Sequence, residues 1–195
     1  MKSDASLACL ILAGGKATRL GGADKSQLLV NGQTVLSRQL HEIGKVTDHV
    51  VLAANHRLSS HDCKLDFVED KFGGLGPMDG IVGALETLDK EWLWVVACDM
   101  PYISKTAFDV LWSQVTPESH FVIPKVNGRI QPLFGLYRKS SYAWLLKCLK
   151  AKRLSLTDCF SSYEDDSRLV WVGEEDFSEM GLEFLKNLNT EKDLL

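Results

Sequence analysis

Residues Leu7 to Ala13, Leu-Ala-Cys-Leu-Ile-Leu-Ala, are apolar without interruption and give way at once to Gly14-Gly15. An apolar run of that length with no polar alternation suits a strand buried on both faces, as in the middle of a parallel sheet. The sequence that follows cannot be core. Gly14, Gly15, Gly21 and Gly22 permit backbone conformations and close approaches that a side chain forbids, and Lys16, Arg19 and Lys25 set three positive charges against Asp24. A buried strand that opens into glycines and cations is suited to hold a polyphosphate.

The rest of the chain repeats the alternation of strand and helix. Gln27 to Val30 predicts a short strand turning at Asn31-Gly32. A helix follows, capped by Thr34, with Val35, Leu36, Leu40 and Ile43 at helical spacing and Gly44 as its stop. Val50 to Ala54 and Asp66 to Val68 predict two further strands. The glycine-rich turn Gly73 to Gly76 leads to Pro77 at the start of a helix through Leu88, and Trp92 to Cys98 predicts another buried strand, ended by Asp99 and Pro101. Beyond it the pattern predicts a helix at Lys105 to Trp112, a strand at Phe121 to Ile123, a hairpin at Asn127-Gly128 into an antiparallel strand Ile130 to Tyr137, and a helix at Ser141 to Lys150. A strand at Leu169 to Val172 and a terminal helix opened by Thr190, with Asp193 three residues on, complete it. Such alternation is that of a doubly wound α/β domain, and 195 residues suit a single domain over 1–195.

In an open parallel sheet, ligands collect beyond the carboxyl ends of the strands. The polar residues at those ends are Gly14-Gly15, Asn55, Asp70 and Asp99. A carboxylate at the tip of a Trp- and Val-rich strand can hold Mg²⁺ beside phosphates, which singles out Asp99. Turn and helix-capping roles also suit Asp99, Asp70 and Asn55, so their position alone leaves both readings open.

Composition narrows the function by exclusion. A formal net charge of -4 offers no broad basic footprint for nucleic acid, and no segment approaches the ~20 apolar residues that span a membrane. The five cysteines are odd in number and include no Cys-x-x-Cys, which fits reduced, buried thiols in a cytoplasmic protein. The start, Met1-Lys2-Ser3-Asp4, imitates a signal peptide only faintly, because the apolar region after it is short and runs into the glycines. The loop matches neither G-x-x-x-x-G-K-[ST] nor G-x-G-x-x-G, Gly74-Leu75-Gly76 lacks a third glycine, and no Asp-x-Asp pair occurs. The five histidines show no metal-ligand spacing.

Leu12 to Lys25, Leu-Ala-Gly-Gly-Lys-Ala-Thr-Arg-Leu-Gly-Gly-Ala-Asp-Lys, resembles the L-A-G-G-x-S/T-x-R-M/L-G-x-x-K signature of Rossmann-like nucleotidyltransferases, most closely the molybdenum cofactor guanylyltransferase family. Four later stretches are also similar to that family. They are Glu69-Asp70 with Gly76-Pro77-Met78-Asp79-Gly80-Ile81, Cys98-Asp99-Met100-Pro101-Tyr102-Ile103, Gln131 to Tyr137, and Asn187 to Leu194. Two departures stand out. Ala53 occupies a strand end where many members carry asparagine, with Asn55 two positions on, and Glu191 replaces a proline.

The resemblance implies a single-domain Rossmann-like nucleotidyltransferase fold, with a mostly parallel sheet, an antiparallel strand and helices on both faces. It implies transfer of GMP from GTP to the phosphate of molybdenum-molybdopterin with release of pyrophosphate, and contact with a protein that delivers the labile pterin. Leu12, Ala13, Gly14, Gly15, Lys25, Asn55, Asp70 and Asp99 would line the nucleotide. Arg19, Lys25 and Asp99 would be catalytic, Asp99 would hold Mg²⁺, and Asn187 and Asn189 would face the pterin. Gly14, where CTP-using relatives carry alanine, favours GTP. Other expectations compatible with the loop are a molybdopterin cytidylyltransferase, a sugar-1-phosphate nucleotidylyltransferase and a non-catalytic nucleotide-binding partner.

Overall fold

The computed structural model describes residues 6–13, 28–53, 65–68, 72–165 and 167–188. Its main sheet takes the order β10-β7-β9-β6-β1-β4-β5, with β8 paired to β7. The strands are β1 (Leu7–Leu12), β4 (Val50–Ala53), β5 (Asp66–Val68), β6 (Trp92–Ala97), β7 (Phe121–Val126), β8 (Arg129–Ile130), β9 (Phe134–Arg138) and β10 (Leu169–Val172). β2 (Leu29–Val30) and β3 (Gln33–Thr34) form a separate hairpin. β1 lies between β4 and β6, parallel to both, with Leu12 in register with Ala53 on one side and Ala97 on the other. β9 runs antiparallel to β6 and β7, while β10 is parallel to β7.

Side-chain alternation along β1 divides the core between the two faces. Ala8, Leu10 and Leu12 point to the layer that contains α2 (Pro77–Thr87), α4 (Tyr142–Lys150) and α5 (Leu156–Ser161). Leu7, Cys9 and Ile11 point to the layer of α1 (Val35–Ile43) and α3 (Lys105–Ser113). All six β1 residues are buried, as expected of a central strand with helices on both sides. The fold is the mostly parallel α/β sheet with one antiparallel insertion that the strand pattern predicts.

Local chemistry accounts for the element ends. Thr34 caps α1 by accepting from the Ser37 N–H at 3.1 Å. Asn31 and Gly32, and likewise Asn127 and Gly128, adopt positive φ in two-residue hairpin turns. Gly44 ends α1 in right-handed geometry rather than the left-handed cap that glycine suggests, and a Cβ there would lie 3.1 Å from the Leu40 carbonyl oxygen.

Three elements differ from the sequence reading. The predicted strand Ile130 to Tyr137 is broken into β8 and β9, because Pro132 cannot donate to a ladder and the Phe134 N–H closes a turn onto the Gln131 carbonyl. β7 extends past Ile123 to Val126, and α5 forms where no helix is predicted, capped by Ser155. The terminal helix expected from Thr190 lies outside the described residues.

Gly80 lets α2 settle against the strand ends, since a Cβ there would come 2.9 Å from both the Ala53 Cβ and a Leu12 methyl carbon. Gly80→Val should therefore lower stability by about 1–3 kcal/mol through overpacking. A urea midpoint equal to that of the parent chain would contradict this close approach.

Candidate functional site

The connections out of β1 define the site. The chain passes through α1 to β4 on one side of β1, and later returns through α2 to β6 on the other. That reversal leaves a crevice at the carboxyl end of β1, the usual ligand position in open α/β sheets. The Ala13 N–H donates to the Ala53 carbonyl at 2.8 Å and the Cys98 N–H to the Leu12 carbonyl at 3.1 Å. The backbone of Ala13 thus leaves β1 from between β4 and β6. Ala53 itself is buried beside Gly80, so its side chain packs against α2. Gly14, Gly15, Arg19, Lys25, Asn55, Asp70 and Asn189 lie outside the described residues.

Asp99 follows β6 directly. Ala97 to Met100 form a turn closed by the Met100 N–H on the Ala97 carbonyl at 3.3 Å, and Asp99 is its half-buried third residue. Segments distant in sequence converge on this turn. The Ala97 N–H donates to the Leu133 carbonyl at 3.1 Å, Arg38 Nε to the Pro101 carbonyl at 3.2 Å, and Gln39 Nε2 to the carbonyls of Ala97 and Met100 at 2.8 and 3.0 Å. The Leu188 N–H donates to the Asp99 carbonyl at 2.8 Å, which brings exposed Asn187 beside the same turn. Leu12, Ala13, Asp99 and Asn187 are therefore gathered at one edge of the sheet.

The loop that leaves the turn is anchored at α3. Glu42 accepts from the Lys105 N–H at 3.0 Å and is also bound by the Lys45 ammonium. Burial opposes ionisation of Glu42, but these two partners outweigh it and hold the carboxyl below its usual range.

A second loop is organised by a residue to which the sequence assigns no role. Asp79 is fully buried in the first turn of α2, where its carboxylate accepts from the N–H groups of Phe72, Gly74 and Leu75 at 3.1–3.3 Å. The bonds shape a turn in which Gly73, Gly74 and Gly76 all adopt positive φ. Its only sequence signal is an acid three residues into a Gly-Pro helix start, where helix N-termini favour anions.

Past β6, a cleft of about 400 Å³ lies at the end of β7, within the size range of small-molecule sites. Asn127, Arg129 and Gln131 line one side, Leu182, Leu185 and Lys186 the other. Lys186 pairs with Glu183 at 2.6 Å, and the hydrogen bond raises the lysine's pKa. Motif reading reaches Gln131 but not Arg129 or Lys186, which the fold alone brings together.

Among the described residues, no group of three or more His, Cys, Asp or Glu side chains could hold a metal. A single carboxylate such as that of Asp99 is compatible with Mg²⁺, which binds through one or two carboxylates and takes its remaining ligands from water and substrate phosphates.

Comparison with known proteins bears on the family and the fold. The profile of the MobA-like NTP transferase domain matches residues 9–164. A probable molybdenum cofactor guanylyltransferase of Halalkalibacterium halodurans is 30% identical over 192 residues, covering 95% of this chain and 94% of that one. A molybdenum cofactor guanylyltransferase of Vibrio cholerae is 29% identical over 163 residues, 81% of this chain and 80% of the other. In fold, the chain is similar to the molybdopterin-guanine dinucleotide biosynthesis protein A of Archaeoglobus fulgidus, with a TM-score of 0.79, 22% identity, and coverage of 96% and 94%.

Replacing Asp79 by alanine should cost about 1–3 kcal/mol by removing the charged acceptor shared by three backbone N–H groups, and should speed amide exchange at Phe72, Gly74 and Leu75. Unchanged exchange at those amides would show that the carboxylate does not hold the loop.

Proposed function

Because this chain belongs to the MobA-like NTP transferase family, we propose that it transfers GMP from GTP to the terminal phosphate of molybdenum-bound molybdopterin, releasing pyrophosphate. One observation carries the reading. The Asp99 turn is hydrogen-bonded both to Leu12, at the root of the glycine loop, and to Leu188, in the carboxyl-terminal segment. In this reading a nucleotide half and an acceptor half meet at the turn that carries the Asp99 carboxylate.

The chemistry asked of the protein is modest. An acceptor phosphate oxygen attacks the α-phosphorus of GTP, a new P–O bond forms, and the bond to the bridging oxygen of pyrophosphate breaks in line with it. Such a reaction needs two anions positioned and the charge at phosphorus stabilised. In this reading the amides of Gly14 and Gly15 cradle the phosphates, with Leu12 and Ala13 presenting them. Arg19 and Lys25 offset the charge that develops on the α-phosphate and the leaving group. Asn55 and Asp70 contact the nucleoside. Asp99 is the residue that would hold Mg²⁺, which when bound neutralises phosphate charge.

The acceptor is assigned to the other side of Asp99. Asn187 and Asn189 face the pterin, and the adjoining cleft offers the Arg129 guanidinium and the amides of Asn127 and Gln131. We assign the whole reaction to a single domain, 1–195, in the cytoplasm, with the pterin passed from a delivering protein.

Asp99→Asn should lower Mg²⁺-dependent turnover by about a hundredfold or more, and Lys25→Ala should act similarly. Normal turnover in either variant would remove that residue from the mechanism. When GTP, CTP, ATP and UTP are supplied in turn with molybdopterin, GTP should give the fastest pyrophosphate release. Faster release from CTP would reassign the nucleotide.

A further inference from the structure

The buried stripe of α1 contains an anomaly. Val35, Leu36, Gln39 and Ile43 are the residues this helix buries, and in that stripe Gln39 stands where an apolar side chain would satisfy packing. It is completely buried, and among the described residues Gln39 Oε1 has no hydrogen-bond partner. A buried amide with an unpaired oxygen destabilises a core unless its other half contributes something an apolar residue cannot.

What the other half does is specific. Gln39 Nε2 donates to the carbonyls of Ala97 at 2.8 Å and Met100 at 3.0 Å, the first and last residues of the turn that presents Asp99. Two carbonyl acceptors demand a group with two hydrogens, which the amide NH₂ supplies and no aliphatic side chain can. The Ala97 carbonyl also accepts the Met100 N–H that closes the turn, at a longer 3.3 Å. The side chain therefore bridges both ends of a turn whose own closing bond is long.

We propose that Gln39 is a positioning residue for Asp99, fixing the Ala97–Met100 turn so that the carboxylate is held ready for the metal–nucleotide complex. The inference rests on the reading of Asp99 as the Mg²⁺ ligand. Partners that orient a ligating carboxylate typically change metal affinity or activity by about 10–100-fold when removed.

Gln39→Leu keeps much of the side-chain volume and removes both donors, and Gln39→Met does the same with an unbranched chain. Binding of Mn²⁺ in the presence of GTP, read by water-proton relaxation, should weaken by about tenfold in either variant. The Mg²⁺ concentration for half-maximal turnover should rise by a similar factor, and excess Mg²⁺ should restore part of the rate. A role confined to packing would lower the melting temperature and leave both metal titrations at parental values, which would overturn the proposal. Asp99→Asn, measured alongside, separates the two levels. If it binds Mn²⁺ with GTP as the parent does, the metal reading fails and this inference with it. If Asp99→Asn loses the metal while both Gln39 variants keep parental affinity, only the role of Gln39 is refuted.

Discussion

The parallel ladder that holds β1 between β4 and β6 is the constraint on which the rest of the molecule depends. It sets Leu12 level with Ala53 and Ala97, so three strands end together at one edge of the sheet. β1 is buried along its whole length, so a register slip would carry its core residues to the wrong layer. The glycine loop therefore starts from a point the core determines.

Onto this apolar frame a few buried polar groups add precision. Asp79 shapes the turn before α2, Gln39 spans the turn that bears Asp99, and the Leu188 N–H ties the carboxyl-terminal segment to the Asp99 carbonyl. Burying Asp79 and Gln39 is unfavourable unless they are hydrogen-bonded, and both sit directly behind the crevice. Gly80 complements them, since its missing Cβ lets α2 press against Leu12 and Ala53. Polar anchoring and close backbone approach thus fix one edge of the sheet in place.

Much of this was legible in the sequence because its signals are local. Uninterrupted apolar runs announce the buried strands, Asn-Gly pairs announce the hairpins, and Thr34 and Pro77 announce helix starts. The family resemblance also rests on short contiguous motifs, and the match over residues 9–164 upholds it. What escaped is long-range. Leu40 fits the helical spacing as well as Gln39 does, and only the packing of α1 against the turn after β6 shows that the glutamine is the buried member. No sequence signal links Arg129 to Lys186, and only the fold brings the β7–β8 hairpin beside residues 182–186. The break at Pro132 was present in the sequence, but the apolar residues around it read as one strand.

If the crevice at β1 and Asp99 performs the proposed nucleotidyl transfer, rather than phosphoryl transfer or hydrolysis, the fate of each GTP phosphate reveals it. Following labelled GTP with Mg²⁺ and molybdopterin tests it most directly. Label at the α-phosphorus should appear in the pterin product and label at the γ-phosphorus in pyrophosphate. Recovery of the γ label on the pterin, or as orthophosphate in a sample free of pyrophosphatase, would contradict it.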